Sequence, residues 1–257
     1  DGVADGDVSD GASFEISNGG DADDNPSTSG VGIGAKKTEN VTGFSISALS
    51  NEKIASTVVS VAGAGAAAVA ITAVVNVIST TTEASIGNSA TINETKGGSG
   101  QSVTLTAADN TELFQIGGTV AGAGAAGVSG SANTSIVTKT VTATVGNDTD
   151  INAGGSVSVM ASAVEDIDQI TANVSVGGGA GVGGAVGVGV VSNTITASLG
   201  QRGITDVGND LIIDATSNTD INIDTLSGAA GGVGVSGAFS VAVVTNDTTA
   251  TIGDDAE

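Results

Sequence analysis

The stretch that decides the fold is 176–200, VGGGAGVGGAVGVGVVSNTITASLG. Taken two residues at a time, Val182, Val186, Val188 and Val190 share one parity, and Gly181, Gly183, Ala185, Gly187 and Gly189 share the other. A strand sends successive side chains to opposite faces, so this is an extended segment with one aliphatic face and one nearly bare face. Glycine weakens a strand interior and marks a place where another backbone comes close.

The same two-faced tract occurs three more times. Val59, Val61, Val69, Ile71, Val75 and Val77 oppose Ser60, Ala62, Ala64, Ala66, Ala68, Ala70 and Thr72. Ile116, Val120, Val128 and Ile136 face away from Thr119, Ala121, Ala123, Ala125, Ser129 and Ser131. Val233, Val235, Phe239, Val241 and Val243 oppose Gly232, Gly234, Ser236, Ala238, Ser240 and Ala242. The Ala-rich first tract alone allows a helical reading, but the glycines and β-branched residues of the others oppose it. Each tract runs into a Thr-rich strand with a common ending: Ala84-Ser85-Ile86-Gly87, Ala143-Thr144-Val145-Gly146, Ala197-Ser198-Leu199-Gly200 and Ala250-Thr251-Ile252-Gly253. The closing glycines are 59, 54 and 53 residues apart. Such near-constant spacing is the signature of a repeat architecture.

Each unit also opens alike, on Phe44-Ser45-Ile46-Ser47-Ala48, Val103-Thr104-Leu105-Thr106-Ala107, Val157-Ser158-Val159-Met160-Ala161 or Leu211-Ile212-Ile213-Asp214-Ala215. Turn residues such as Gly146-Asn147-Asp148-Thr149-Asp150 and Gly200-Gln201-Arg202-Gly203 separate the units. The expected fold is all-β: a parallel β-helix, or β-solenoid, of 53–59-residue repeats over 44–257, with units at about 44–92, 93–155, 156–208 and 209–257. The alternative is a β-sandwich or stacked antiparallel sheets. A β-helix coil uses roughly 18 to 28 residues, so each unit is expected to supply two or three coils with its aliphatic face inward. Residues 1–43 form an acidic, turn-rich segment with one alternating strand from Ala12 to Ser17.

An exposed, flat, uncharged strand surface invites aggregation, so the bare face is expected to be covered. The cover is either a second sheet of the same chain or a neighbouring copy, and Gly181, Gly183, Gly187, Gly189, Gly232 and Gly234 are the candidate close-packing or assembly residues.

At these repeats the chain resembles the stalks of very large bacterial adhesins of the filamentous-haemagglutinin and leukotoxin-like types. The matching residues are Gly122-Ala123-Gly124-Ala125, Ser192-Asn193-Thr194, Ala143-Thr144-Val145-Gly146 and 153–161, AGGSVSVMA. The resemblance covers about 44–253. It implies a parallel β-helical fibre exported to the cell surface, with secretion and receptor-binding parts lying outside this segment. The start at Asp1 without a signal peptide fits a processed piece or a segment of something longer.

Composition narrows the functions. The chain has 28 acidic and 6 basic residues, formally −22, which disfavours nucleic acid and anionic membrane as partners. It has no His and no Cys, which removes disulfides, thiolate catalysis, Ser-His triads and ordinary zinc sites. The apolar run 58–78 is long enough to span a bilayer, but it contains Ser60, Thr72 and Asn76 and lacks aromatic or basic flanks, so no membrane insertion is expected.

No catalytic constellation emerges. Glu165 with Asp168, or Asp220 with Asp224, can be paired as acid and base, but the one arginine and the scattered lysines make no substrate site, and the chain is read as a non-enzyme. Calcium is the one ligand left open. Asp148 and Asp150, and Asp206 and Asp210, offer hard oxygens at close spacing, as does the 21–25 cluster DADDN, although no complete EF-hand loop or GGxGxD repeat is present. A surface-binding Thr face, suggested by Thr80-Thr81-Thr82, is set aside because a two-residue Thr ladder does not look sustained. The expected role is that of a secreted or cell-surface rod, with neighbouring repeats or copies of itself as partner and host or matrix surfaces touched through other parts.

Overall fold

The computed structural model describes residues 12–17, 36–41, 43–93 and 98–256. The expected strand β1 (Ala12–Ser17) pairs antiparallel with β2 (Lys36–Val41). The repeats then follow as β3 (Gly43–Ala64), β4 (Ala67–Ile86) and β5 (Thr91–Ile92); β6 (Ser102–Ala123), β7 (Ala126–Val145) and β8 (Asp150–Ala153); β9 (Val157–Gly177), β10 (Ala180–Leu199) and β11 (Ile204–Val207); and β12 (Leu211–Ala230) and β13 (Val233–Ile252). Strands β3, β6, β9 and β12 stack in sequence order as a front sheet, β4, β7, β10 and β13 as a back sheet, and β5, β8 and β11 as a short end sheet. All pairings within these three sheets are parallel. The protein is a parallel β-solenoid, and the antiparallel alternative does not hold.

The register corrects the expected coil length. Phe44 lies opposite Val103, Val103 opposite Val157, and Val157 opposite Leu211. In the back sheet Ala67, Ala126, Ala180 and Val233 form one row. Each repeat is therefore one coil, not two or three. Polar stretches follow the opening strands, such as Asp109-Asn110-Thr111-Glu112 and Glu165-Asp166-Ile167-Asp168. They continue the strand, so the long strands reach 20–22 residues. At ~3.3 Å per residue a coil is roughly 66 Å wide, whereas four coils at ~4.8 Å stand only about 19 Å tall.

The coil is a wedge. At its tip the front and back strands are joined by two residues only: 65–66, 124–125, 178–179 and 231–232. Facing backbones there are so close that a Cβ on Gly127 or Gly181 would lie 2.5 Å from the carbonyl oxygen of Val176 or Ala230. Only small side chains fit between the sheets, and the tip core is Ala68, Ala70 and Ala121 with Ala62 and Ala123. At the other end the short sheet holds the two long ones apart. There the core fills with Val103, Leu105, Val141, Val145, Ile151, Val157, Val159, Ile195 and Leu199. A middle layer of Ile78, Leu113, Val137, Ile167 and Val191 lies between the two.

This wedge overturns the expected inward aliphatic face. Side-chain parity runs unbroken along each strand, so inward Val191, Ile195 and Leu199 place Gly189, Gly187, Ala185, Gly183 and Gly181 inward as well. Val182, Val186, Val188 and Val190 consequently point out; Val182 is 45% exposed and Val186 39%. The switch falls where two aliphatic residues are adjacent, at Val77-Ile78, Ile136-Val137 and Val190-Val191.

The base corners explain the repeat ending. Ser89, Asp148, Arg202 and Asp255 occupy the same left-handed turn position in successive coils, with φ of 52–57°. Asn88 Oδ1 accepts the Asn147 amide, and Asn147 Oδ1 accepts the Gln201 amide, both at 2.8 Å. The preceding glycines stack backbone on backbone. A Cβ on Gly200 would lie 2.5 Å from the Gly146 carbonyl carbon and 2.7 Å from the Asn147 nitrogen.

Candidate functional site

Three places can carry function: the buried charges between the sheets, the base corners and the two outer faces. In the interior, Lys139 of β7 is fully buried between Asp109 of β6 and Glu165 of β9, with Nζ–O distances of 2.5 and 3.5 Å. Thr82 donates to Asp109 Oδ2 at 2.9 Å. Glu165 Oε2 accepts from Asn193 Nδ2 at 2.8 Å and from Thr219 Oγ1 at 2.7 Å, and Lys139 Nζ donates to the Val164 carbonyl at 3.3 Å. One ammonium thus faces two carboxylates. Burial pushes the Glu165 carboxyl above its ordinary pKa, and the attraction of Lys139 and the hydrogen bonds of Thr219 and Asn193 offset this only in part.

This cluster crosses all four coils, since Thr82, Lys139 and Asn193 come from successive back strands and Thr219 from the last front strand. It is sealed from solvent and ties the front and back sheets together through charge-assisted hydrogen bonds. The sequence reading missed Lys139 as a site, counting it among scattered lysines. The available signal was its parity: it shares a face with inward Val141 and Val145.

The four calcium candidates lie in two successive layers of one base region. Asp148 and Asp150 precede or open β8, and Asp206 and Asp210 lie in or just after β11. Asp148 is held by the Arg202 guanidinium, Nε to Oδ1 at 2.6 Å and Nη2 to Oδ2 at 2.9 Å. That hydrogen bond, aided by the charge of Arg202, keeps the Asp148 carboxyl below its usual pKa. Asp150 accepts from Asn152 at 3.1 Å. Among the described residues no group of three or more carboxylates converges to hold a metal ion. The 21–25 cluster lies outside the described residues.

The candidate glycines separate by position. Gly181, Gly183, Gly187 and Gly189 are enclosed between the sheets, so their cover is the opposite sheet of the same chain rather than another copy. A Cβ on Gly187 would overlap Ile223 Cγ2 and sit 3.0 Å from Thr225 Cγ2; one on Gly183 would sit 2.8 Å from Asn173 Oδ1. Gly234 holds the same inward register in the last coil, and Gly232 is in its tip corner.

The outer faces carry what the interior cannot accept. On the back sheet the tip half presents Val69, Val128, Val182 and Val235 in one row and Val77, Ile136, Val190 and Val243 in another. Exposure reaches 72% at Ile71. The base half presents hydroxyls: Thr138, Thr140, Thr142 and Thr144 beside Ser192, Thr194, Thr196 and Ser198. The hydroxyl rows hold in the two central coils, with Ser192 and Ser198 in place of Thr, and are interrupted by Glu83 and Asp247 in the first and last coils; Ser198 Oγ donates to Thr144 Oγ1 at 3.2 Å. The front sheet instead carries acidic residues at mid-strand: Glu112, Asp166, Asp168, Asp220 and Asp224. Glu112 pairs with Lys53 at 2.7 Å, and Glu112, Phe114, Asp166 and Asp168 border a shallow cavity of about 240 Å³.

No helix among the described residues is long and apolar enough to cross a membrane. Comparison with protein-family models, with curated proteins and with solved structures gave no match, so the functional reading rests on this geometry.

Proposed function

We propose that this chain is a structural, non-enzymatic segment of a secreted or cell-surface bacterial fibre or adhesin. The observation that carries the reading is the one-repeat-per-coil register, continuous across four coils in the two long sheets and three in the short one. A stack of this kind extends by adding like layers, each contacting only its neighbours. Its resemblance to adhesin stalks and its strongly acidic composition support the same reading.

The coil width refines the role. A layer that uses 53–59 residues to advance ~4.8 Å is an inefficient spacer. What it gains is breadth, two faces about 66 Å across. The segment acts as a broad blade within the fibre, presenting those faces to its surroundings.

Immunogold labelling of intact producing cells, with antibodies raised to this chain, tests the proposal. Label on extracellular fibres is the expected result; label confined to the cell interior overturns it. Electron microscopy of the purified chain, with and without a calcium chelator, should show broad thin particles whose outline does not depend on the chelator.

A further inference from the structure

We propose that the tip half of the back sheet is a docking face for a second copy of this chain, packed sheet against sheet. The inference goes beyond the fibre reading and relocates self-association from the buried Gly/Ala face to the aliphatic one.

Three observations lead to it. The first is a groove with no use inside the monomer. Gly130, Gly184 and Gly237 lie in one outward-facing row on β7, β10 and β13. Nothing lies within 4 Å of a Cβ built on any of them, and none has the backbone conformation that excludes other residues. Glycine in a strand interior costs about 0.5–1 kcal/mol relative to alanine. Three in register, with neither a fold nor a contact requiring them, mark a close approach by another chain. Val128, Val182 and Val235 rise along one side of the groove, and Ala132, Val186 and Phe239 along the other. Ile71 fills the same row in the first coil and closes the groove there.

The second observation is the extent and chemistry of the face. It spans six outward positions on each of four strands, and Thr134 is its one hydrogen-bonding side chain. Six two-residue steps by four strands measure roughly 40 by 19 Å, about 760 Å² per copy. Two copies would bury ~1,500 Å², the size of an ordinary stable interface. The front sheet offers less, because Asp224 and the mid-strand acids cut into its apolar area.

The third observation is commensurability. The ridges beside the groove repeat at the ~4.8 Å strand spacing. A second copy presents ridges at the same spacing, so ridge and groove can mesh along the whole stack. A bilayer is the poorer occupant, because among the described residues β4 and β13 are the edge strands of this sheet, and open strand edges are not tolerated in hydrocarbon.

The test uses the whole chain in sedimentation equilibrium across concentration and salt. The wild type is expected to approach twice its 24.2 kDa mass, more readily at higher salt, because screening weakens repulsion between two chains of net charge −22. Gly184→Val fills the groove from open space, and Val186→Lys places a charge on its wall. Each is expected to weaken pairing about tenfold or more with an unchanged circular dichroism spectrum. A wild type that stays monomeric overturns the proposal. So does association that persists in both variants, which would place it at the coil ends or the front sheet. Flotation of a monomeric wild type with phosphatidylcholine vesicles would identify lipid as the occupant and also overturns it. None of these outcomes bears on where the fibre is located, which the labelling experiment decides.

Discussion

Replacing Lys139 by methionine is the sharpest probe of how the two sheets are held together. Methionine keeps most of the side-chain volume and removes only the ammonium. Asp109 then loses its 2.5 Å ion-pair partner and Glu165 its 3.5 Å one, with both side chains fully enclosed. Breaking a buried pair from one side costs about 3–5 kcal/mol, against a total stability of about 5–15 kcal/mol for an ordinary domain. Here one substitution strands two carboxylates, so the upper part of that range is expected. Urea unfolding followed by far-ultraviolet circular dichroism, at pH 7.5 and pH 5, measures it. The deficit should shrink as pH falls, because protonation of Glu165, whose carboxyl pKa burial already raises, removes one of the stranded charges. Lys139→Met with wild-type stability at pH 7.5, or with an equal deficit at both pH values, would refute the reasoning.

Glu165→Gln tests the same cluster from the other side: it leaves Lys139 and Asp109 as a neutral pair and should change stability by less than ~1 kcal/mol. Because burial raises the folded pKa of Glu165, its proton-linked stabilisation is complete below the ordinary carboxyl pKa and is lost as pH rises through the elevated value. The variant should flatten that part of the wild-type stability–pH curve, and an unchanged slope assigns it to another group. Gly187→Val drives a side chain into Ile223 and Thr225 and should cost about 1–3 kcal/mol by chemical denaturation, whereas outward Gly184→Val should not lower monomer stability. Gly200→Ala should cost a similar ~1–3 kcal/mol, because its methyl meets the backbone of the Gly146 corner; a wild-type melting curve would rule out backbone stacking there. Arg202→Gln should return the Asp148 carboxyl upward toward its ordinary pKa in an NMR titration, since the lost hydrogen bond is the main cause of its depression; no movement would mean that the pair does not form in solution.

Much of the architecture was legible in local pattern. The two-residue alternation, the Ala-Ser/Thr-aliphatic-Gly endings and their spacing specify strands, corners and a stack of like units, because each follows from backbone geometry that neighbouring residues settle among themselves. The corner glycines could be read as turns for the same reason. The candidate site was less legible. Asp148 was visible as a carboxylate near others, but its partner Arg202 is 54 residues away and reaches it only through the coil register.

Which face of each strand lies inside was decided by tertiary structure alone. Alternation defines two faces but assigns no direction to either. The direction follows from the sheets' separation, which two-residue corners make small at one end and the short third sheet makes large at the other. Where the gap is narrow, Gly187 is inside and Val186 outside; where it is wide, Ile195 is inside and Thr196 outside. The same strand parity thus buries glycine at the tip and isoleucine at the base. Lys139 became a structural residue only once three coils placed Thr82, Asp109 and Glu165 around it. A sequence states the period of its side chains, whereas the volume available to them is a property of the strands that face them.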